Sequence, residues 1–199
     1  MQNIHLLVLV GGISRDSLNR KLFKAVKNQI PKPLLIDTFD ISKIPFFSQD
    51  LEIDPPDNVI TFKEKIRHAD AVLFITPEYN RSVPGVLKNA IDWGSRPYGQ
   101  NLWDSRPAAV MGASPGSTGT FGAQHHLRQT LAYLNMRVMG QPEFYFTDKG
   151  SFDEQGNLKD EKSKAFLNKF LDAFHQWILD AGHISENLRD NKSDESYAH

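Results

Sequence analysis

The sequence predicts an α/β protein, a doubly wound, five-stranded parallel sheet with helices on both faces. Three observations predict it. Strand and helix patterns alternate five times along the 199 residues. The strand candidates are short, continuous apolar runs, as strands covered on both faces require. Loops rich in glycine, serine or proline follow the first, third and fourth strands, where such sheets place their ligands. The expected strand order is 2-1-3-4-5.

Each element has its own signal. Residues 4–10, IHLLVLV, are the first strand. Leu18, Leu22, Phe23 and Val26 recur at helical spacing, and Pro31 stops that helix. Residues 32–37 read as the second strand, and 40–57 as a proline-rich connection. Residues 58–68 form a helix with Val59, Phe62 and Ile66 on one face, and 71–75, AVLFI, a third buried strand. Residues 84–93 are a helix opened by Pro84, a good first helical residue. Residues 107–111 are the fourth strand and 124–135 another helix. Val138-Met139 and Glu143-Phe144-Tyr145-Phe146 share an irregular fifth strand. Phe166, Phe170, Phe174, Trp177 and Ala181 mark a last helix over four turns, which Gly182 ends. Residues 183–199 read as a polar, disordered tail beyond a single domain, 1–182.

Composition narrows the function. Lys and Arg total 23 against 24 Asp and Glu, a net charge of −1, which argues against a dedicated nucleic-acid binder. With no cysteine, thiolate metal sites, Fe–S clusters, disulfides and cysteine nucleophiles are excluded. The N-terminus carries no basic stretch, residues 6–10 are too short for a signal core, and no apolar run approaches a spanning helix. A cytoplasmic protein with no membrane partner is the expectation.

Chemistry concentrates in the three loops. In residues 11–19 the glycines allow close approach, Ser14 and Ser17 offer hydroxyls, Asn19 an amide and Arg15 a charge, at the start of a helix. A phosphate monoester suits that set. The loop is neither a Walker A nor a G-x-G-x-x-G motif, so no nucleoside triphosphate or standard dinucleotide site is indicated. The alternative is that Ser17 merely caps the helix while the glycines turn the chain. Residues 76–85, TPEYNRSVPG, form a proline-restricted segment. Its backbone can meet the edge of a heteroaromatic ring, with Tyr79 adding a flat surface. Residues 113–122 carry three glycines that admit a planar ligand, or else form a flexible surface loop. A ligand with a phosphate end and a polar, planar end fits all three loops, and FMN has that shape.

Residues 76–93, TPEYNRSVPGVLKNAIDW, resemble the signature of the NADPH-dependent FMN reductase family, in its bacterial quinone and chromate reductase branch. Residues 124–129, QHHLRQ, and 142–144, PEF, are also similar, and the resemblance covers residues 4–178. The family's usual first loop is G-S-x-R-x-x-S-x-N. Gly11, Ser17 and Asn19 fit it, Gly12 and Ser14 depart from it, and Arg15 stands one position late. The resemblance implies a flavodoxin-like fold. It implies that Gly12, Ser14, Arg15, Asp16, Ser17, Leu18 and Asn19 hold the FMN phosphate. Pro77, Glu78, Tyr79, Asn80 and Arg81 would border the isoalloxazine, with Ser114 and Gly116 near the ring.

The function expected is an FMN-dependent NAD(P)H oxidoreductase. It would pass two electrons by a ping-pong hydride mechanism to quinones or similar acceptors, among them chromate, azo compounds or free flavin. No catalytic side chain and no metal is required. NADPH or NADH would be the co-substrate, and a homodimer or homotetramer is implied by the family. The alternatives are a flavodoxin-type electron carrier, usually more acidic than this chain, and an FMN-free scaffold. His125 and His126 lack metal-ligand spacing and read as helix or surface contacts. Trp93 reads as core or interface. Arg96, Tyr98 and Trp103 read as packing residues at a rim.

Overall fold

The computed structural model describes residues 3–194, with side chains through residue 182. Strands β1 (Ile4–Val10), β2 (Leu34–Thr38), β3 (Ala71–Ile75) and β4 (Pro107–Ser114) pair in parallel, in the order β2-β1-β3-β4. The fifth position is split. β5 (Arg137–Val138) and β6 (Phe144–Thr147) both pair with β4, low and high on the same edge. The irregular fifth strand is therefore two strands, because Pro142 between them has no N–H to give a ladder.

Helices α1 (Leu18–Gln29) and α5 (Glu161–Asp194) cover one face of the sheet. Helices α2 (Asp57–His68), α3 (Gly85–Gly94) and α4 (Phe121–Tyr133) cover the other. Along β3, Ala71, Leu73 and Ile75 enter the first core layer, and Val72 and Phe74 the second. That double burial is why the strand is apolar throughout; each large side chain contributes about 1.5–3 kcal/mol. On the α5 side the ring of Phe144 stacks on Phe166 at 4.6 Å and meets Phe170 edge-on at 5.4 Å.

Several boundaries differ from the sequence reading: β2 spans Leu34–Thr38, β4 runs on to Ser114 rather than stopping at 111, and α4 ends at Tyr133. Pro84 stands just before α3, as its N-cap, and Gly85 is the first helical residue. Helix α4 begins at Phe121 because a distant side chain caps it, as described below. Helix α5 does not stop at Gly182 but continues to Asp194. A single glycine costs a helix only about 1 kcal/mol relative to alanine, and no proline follows to enforce a stop. Of the expected tail, residues 195–199 lie outside the described residues. Among the described residues, no helix is long and apolar enough to cross a membrane, and no cluster of three His, Asp or Glu side chains could hold a metal ion.

Trp93 is core, its indole N–H donating to the Pro45 carbonyl at 2.8 Å. Trp103 is equally buried and donates to the Ile91 carbonyl at 2.8 Å. Arg96 pairs with Glu52 at 2.7 Å, and Tyr98 is exposed.

Candidate functional site at the carboxyl ends of the strands

The register sets the three loops side by side. Val10 is level with Ile75, and Ile75 with Met111. The ladders then close with two further bonds, Gly11 N–H to the Ile75 carbonyl (2.8 Å) and Thr76 N–H to the Met111 carbonyl (2.9 Å).

Beyond Gly11 the backbone turns away from the sheet. Among the described residues, only Ser17 of the stretch 12–19 spends its N–H within the chain, on the Ser14 carbonyl at 3.3 Å. The N–H groups of Gly12, Ile13, Ser14, Arg15, Asp16, Leu18 and Asn19 find no acceptor there. Ser17 occupies the N-cap position of α1, is buried, and makes no capping bond with its hydroxyl. The plain capping role is therefore not realised, and the hydroxyl stays uncommitted. Gly12 has a steric reason: a Cβ there would lie 2.1 Å from Ser17 Oγ, so the hydroxyl keeps its place only opposite a glycine. Ser14, Arg15 and Asp16 are exposed, and Leu18 packs against the core.

Asn19 is used differently from expectation. Its Nδ2 donates to the Ala113 carbonyl and its Oδ1 accepts from Ala113 N–H, both at 2.9 Å. Met111 is the last β4 residue served from the β3 side; at Ala113 the Asn19 carboxamide stands in for a peptide group. The amide thus docks α1 on β4, which leaves only the Asn19 backbone N–H for a ligand. Arg20, absent from the sequence expectations, reaches back instead: its Nε donates to the Gly12 carbonyl at 3.1 Å.

The second loop is a tight hairpin. Tyr79 and Ser82 exchange both backbone bonds, at 3.1 and 3.0 Å. Asn80 (φ 51°) and Arg81 (φ 64°) take the left-handed region that two-residue hairpin turns need. Asparagine is at home there, but an arginine carries strain. Among the described residues, the N–H groups of Glu78, Asn80 and Arg81 are unspent. Tyr79 is 55% exposed, whereas Pro77 is buried.

Glu78 turns inward. Its side chain is only 11% exposed, one oxygen accepts Ala123 N–H at 3.0 Å, and the other lies 3.4 Å from Arg81 Nη1. That carboxylate caps α4 and neutralises the positive end of its dipole. His126 adds a second tie, its Nδ1 2.7 Å from Ser82 Oγ.

The third loop is anchored rather than flexible. Ser114 Oγ and Thr147 Oγ1 both donate to the Gly116 carbonyl, at 3.2 and 3.1 Å. Gly119, at φ +53°, packs so closely on β6 that a Cβ would lie 2.6 Å from the Tyr145 carbonyl carbon. The Tyr145 hydroxyl is 3.0 Å from His125 Nε2. Burial first, then the neighbouring Glu143, push its phenol above the usual range, so it remains protonated.

The N-termini of α1 and α4 are therefore unlike. That of α4 carries Glu78; that of α1 carries unspent N–H groups, a free hydroxyl and the Arg20 guanidinium. An anionic group fits the α1 end, and a planar polar group fits beside the hairpin. The donor set matches FMN.

A parallel sheet in this order, with an anion cradle after its first strand and a polar hairpin after its third, defines a flavodoxin-like, mononucleotide-binding α/β protein. The chain belongs to the NADPH-dependent FMN reductase family, whose profile matches residues 4–150. It is 46% identical over 173 residues to a quinone reductase of Pseudomonas putida, covering 86% of this chain and 92% of that one. It is 43% identical over 178 residues to a 2-hydroxy-1,4-benzoquinone reductase of a Burkholderia species, covering 89% and 97%. The solved structure of FerB, a flavoenzyme NAD(P)H:(acceptor) oxidoreductase from Paracoccus denitrificans, superposes with a TM-score of 0.86 at 43% identity, over 89% of this chain and 98% of that one. An archaeal flavodoxin superposes with a TM-score of 0.54 at 11% identity, a likeness of fold alone.

Proposed function

We propose that the protein is an FMN-dependent NAD(P)H:quinone oxidoreductase. The observation that carries this reading is the uncommitted donor set after β1, the unspent N–H groups of residues 12–19 with the free Ser17 hydroxyl. Family membership and the quinone-reducing relatives support it. Bound FMN supplies the two-electron chemistry that links NAD(P)H to the quinone.

The chain's own part is to bind, orient and stabilise charge. The loop after β1 holds the phosphate. The N–H groups of Glu78, Asn80 and Arg81 are fixed donors that favour negative charge at the polar edge of a ring beside them. Tyr79 offers a flat, exposed surface at the entrance. No side chain need move a proton, and none is assigned that task. Donor and acceptor use one open face in turn, which makes the kinetics ping-pong. A site that selects flatness accepts many partners, chromate, azo compounds and free flavin among them. A homodimer or homotetramer goes with this reading, as does a cytoplasmic location, where NAD(P)H is turned over.

The test is the visible spectrum of the purified protein, loaded with FMN, under NADPH without oxygen. The yellow colour should bleach within seconds and return when 1,4-benzoquinone is added. A protein that stays yellow is a carrier, and one that takes up no FMN is neither; both results overturn the proposal.

A further inference from the structure

We infer that Arg20, not Arg15, supplies the positive charge that meets the ligand phosphate; this rests on the FMN reading above. A phosphate monoester carries close to two negative charges at neutral pH. The backbone donors of residues 12–19 give hydrogen bonds but no formal charge, so a cation must stand beside them. The segment holds two candidates, Arg15 and Arg20. Both are exposed, but Arg15 makes no hydrogen bond among the described residues, whereas Arg20 makes one to the loop itself.

Arg20 is the third residue of α1, and helical side chains lean toward the N-terminus of their helix. Its Nε is fixed on the Gly12 carbonyl at 3.1 Å. That bond spans the loop from its last turn to its first residue and leaves the two terminal nitrogens free, among the described residues, to face a ligand. A planar fork held by its third nitrogen is well suited to a phosphate. The acidic neighbour that could have claimed it, Asp40, is engaged by Ser42 at 2.6 Å and forms no ion pair with Arg20 among the described residues. The cation is held in place with no direct ion-pair partner among the described residues, and the Asp40 carboxylate acts on it only through space.

The experiment compares FMN with riboflavin, which lacks the phosphate. Quenching of flavin fluorescence on the flavin-stripped, full-length protein gives both dissociation constants. Arg20→Gln should weaken FMN ten-fold or more and leave riboflavin within two-fold. Arg20→Lys should recover part of the loss, since it restores charge without the fork. Arg15→Gln, which keeps its backbone N–H in the donor set, should cost FMN less than Arg20→Gln does. Equal losses for both flavins in Arg20→Gln would make Arg20 a purely structural residue and overturn the inference. So would a larger FMN-specific loss in Arg15→Gln. If the unaltered protein takes up no FMN, the parent reading fails; if it binds FMN and the Arg20→Gln ratio is unchanged, this inference alone fails.

Discussion

Replacing Asn19 with alanine separates a docking residue from a ligand contact. The substitution removes two hydrogen bonds of 2.9 Å and strands the N–H and carbonyl of Ala113, a residue only 2% exposed. Leaving a buried polar group unpaired costs about 1–3 kcal/mol, so two of them predict a loss of about 2–6 kcal/mol. Equilibrium unfolding of the flavin-free protein in urea, followed by circular dichroism, measures it as a fall in midpoint at constant slope. Asn19→Asp is the control of shape. It retains the acceptor for Ala113 N–H but sets a carboxylate oxygen against the Ala113 carbonyl, so it should also be destabilised at neutral pH. Should Asn19→Ala keep its stability within about 0.5 kcal/mol, the range of an ordinary surface change, and lose flavin affinity instead, the amide serves the ligand and the docking argument is wrong.

Other substitutions test the remaining ties. Glu78→Gln keeps an acceptor for Ala123 N–H but removes the charge at the α4 N-terminus, and should lower stability by about 0.5–2 kcal/mol in thermal unfolding; no change in either Glu78→Gln or Glu78→Ala would refute the cap. Arg81→Gly should be neutral or stabilising. It relieves a left-handed penalty of about 1–2 kcal/mol and returns about 0.5–1 kcal/mol to the unfolded chain's freedom, so a loss above about 1 kcal/mol refutes the strain. Asp40 is held below its usual carboxylate range chiefly by the Ser42 hydroxyl. Its stabilisation is therefore complete above the unfolded value of about 3.9 and fades as pH falls through the lower folded value. The stability gap between the protein and Ser42→Ala should accordingly narrow as pH drops below about 4; a gap that widens there contradicts the sign.

The sheet was legible because its signals are local. Apolar runs of five to seven residues, such as AVLFI at 71–75, can be buried on both faces only in a covered parallel sheet. The three loops were legible for the same reason, their glycines, prolines and hydroxyls being contiguous. What the sequence hid is non-local. Helix α4 starts earlier than its own residues indicate because Glu78, 45 positions away, caps it. The role of Asn19 depends on Ala113, 94 positions away. Arg20 carries no motif, and only the direction of its side chain brings it to Gly12. Each of these is a polar group whose partner the fold selects, and no periodicity records the choice.

On the FMN reading proposed above, those ties also bear on which way the ligand would lie. Gly11 to Ile75, Asn19 to Ala113, Glu78 to Ala123 and Ser82 to His126 join the three loops without help from any ligand. A rim already joined has little ordering left to do on binding, so contacts made there go into affinity. The same bonds sort the charge. The Glu78 carboxylate answers the α4 dipole and places a negative group at the seam of the second and third loops. The α1 dipole is left open beside the Arg20 guanidinium. A phosphate at the Glu78 end would meet like charge, and at the α1 end it meets unspent N–H groups and a cation. On the FMN reading proposed above, one orientation would be favoured at both ends at once: the anionic tail on α1 and the polar ring along the hairpin, beside the exposed Tyr79.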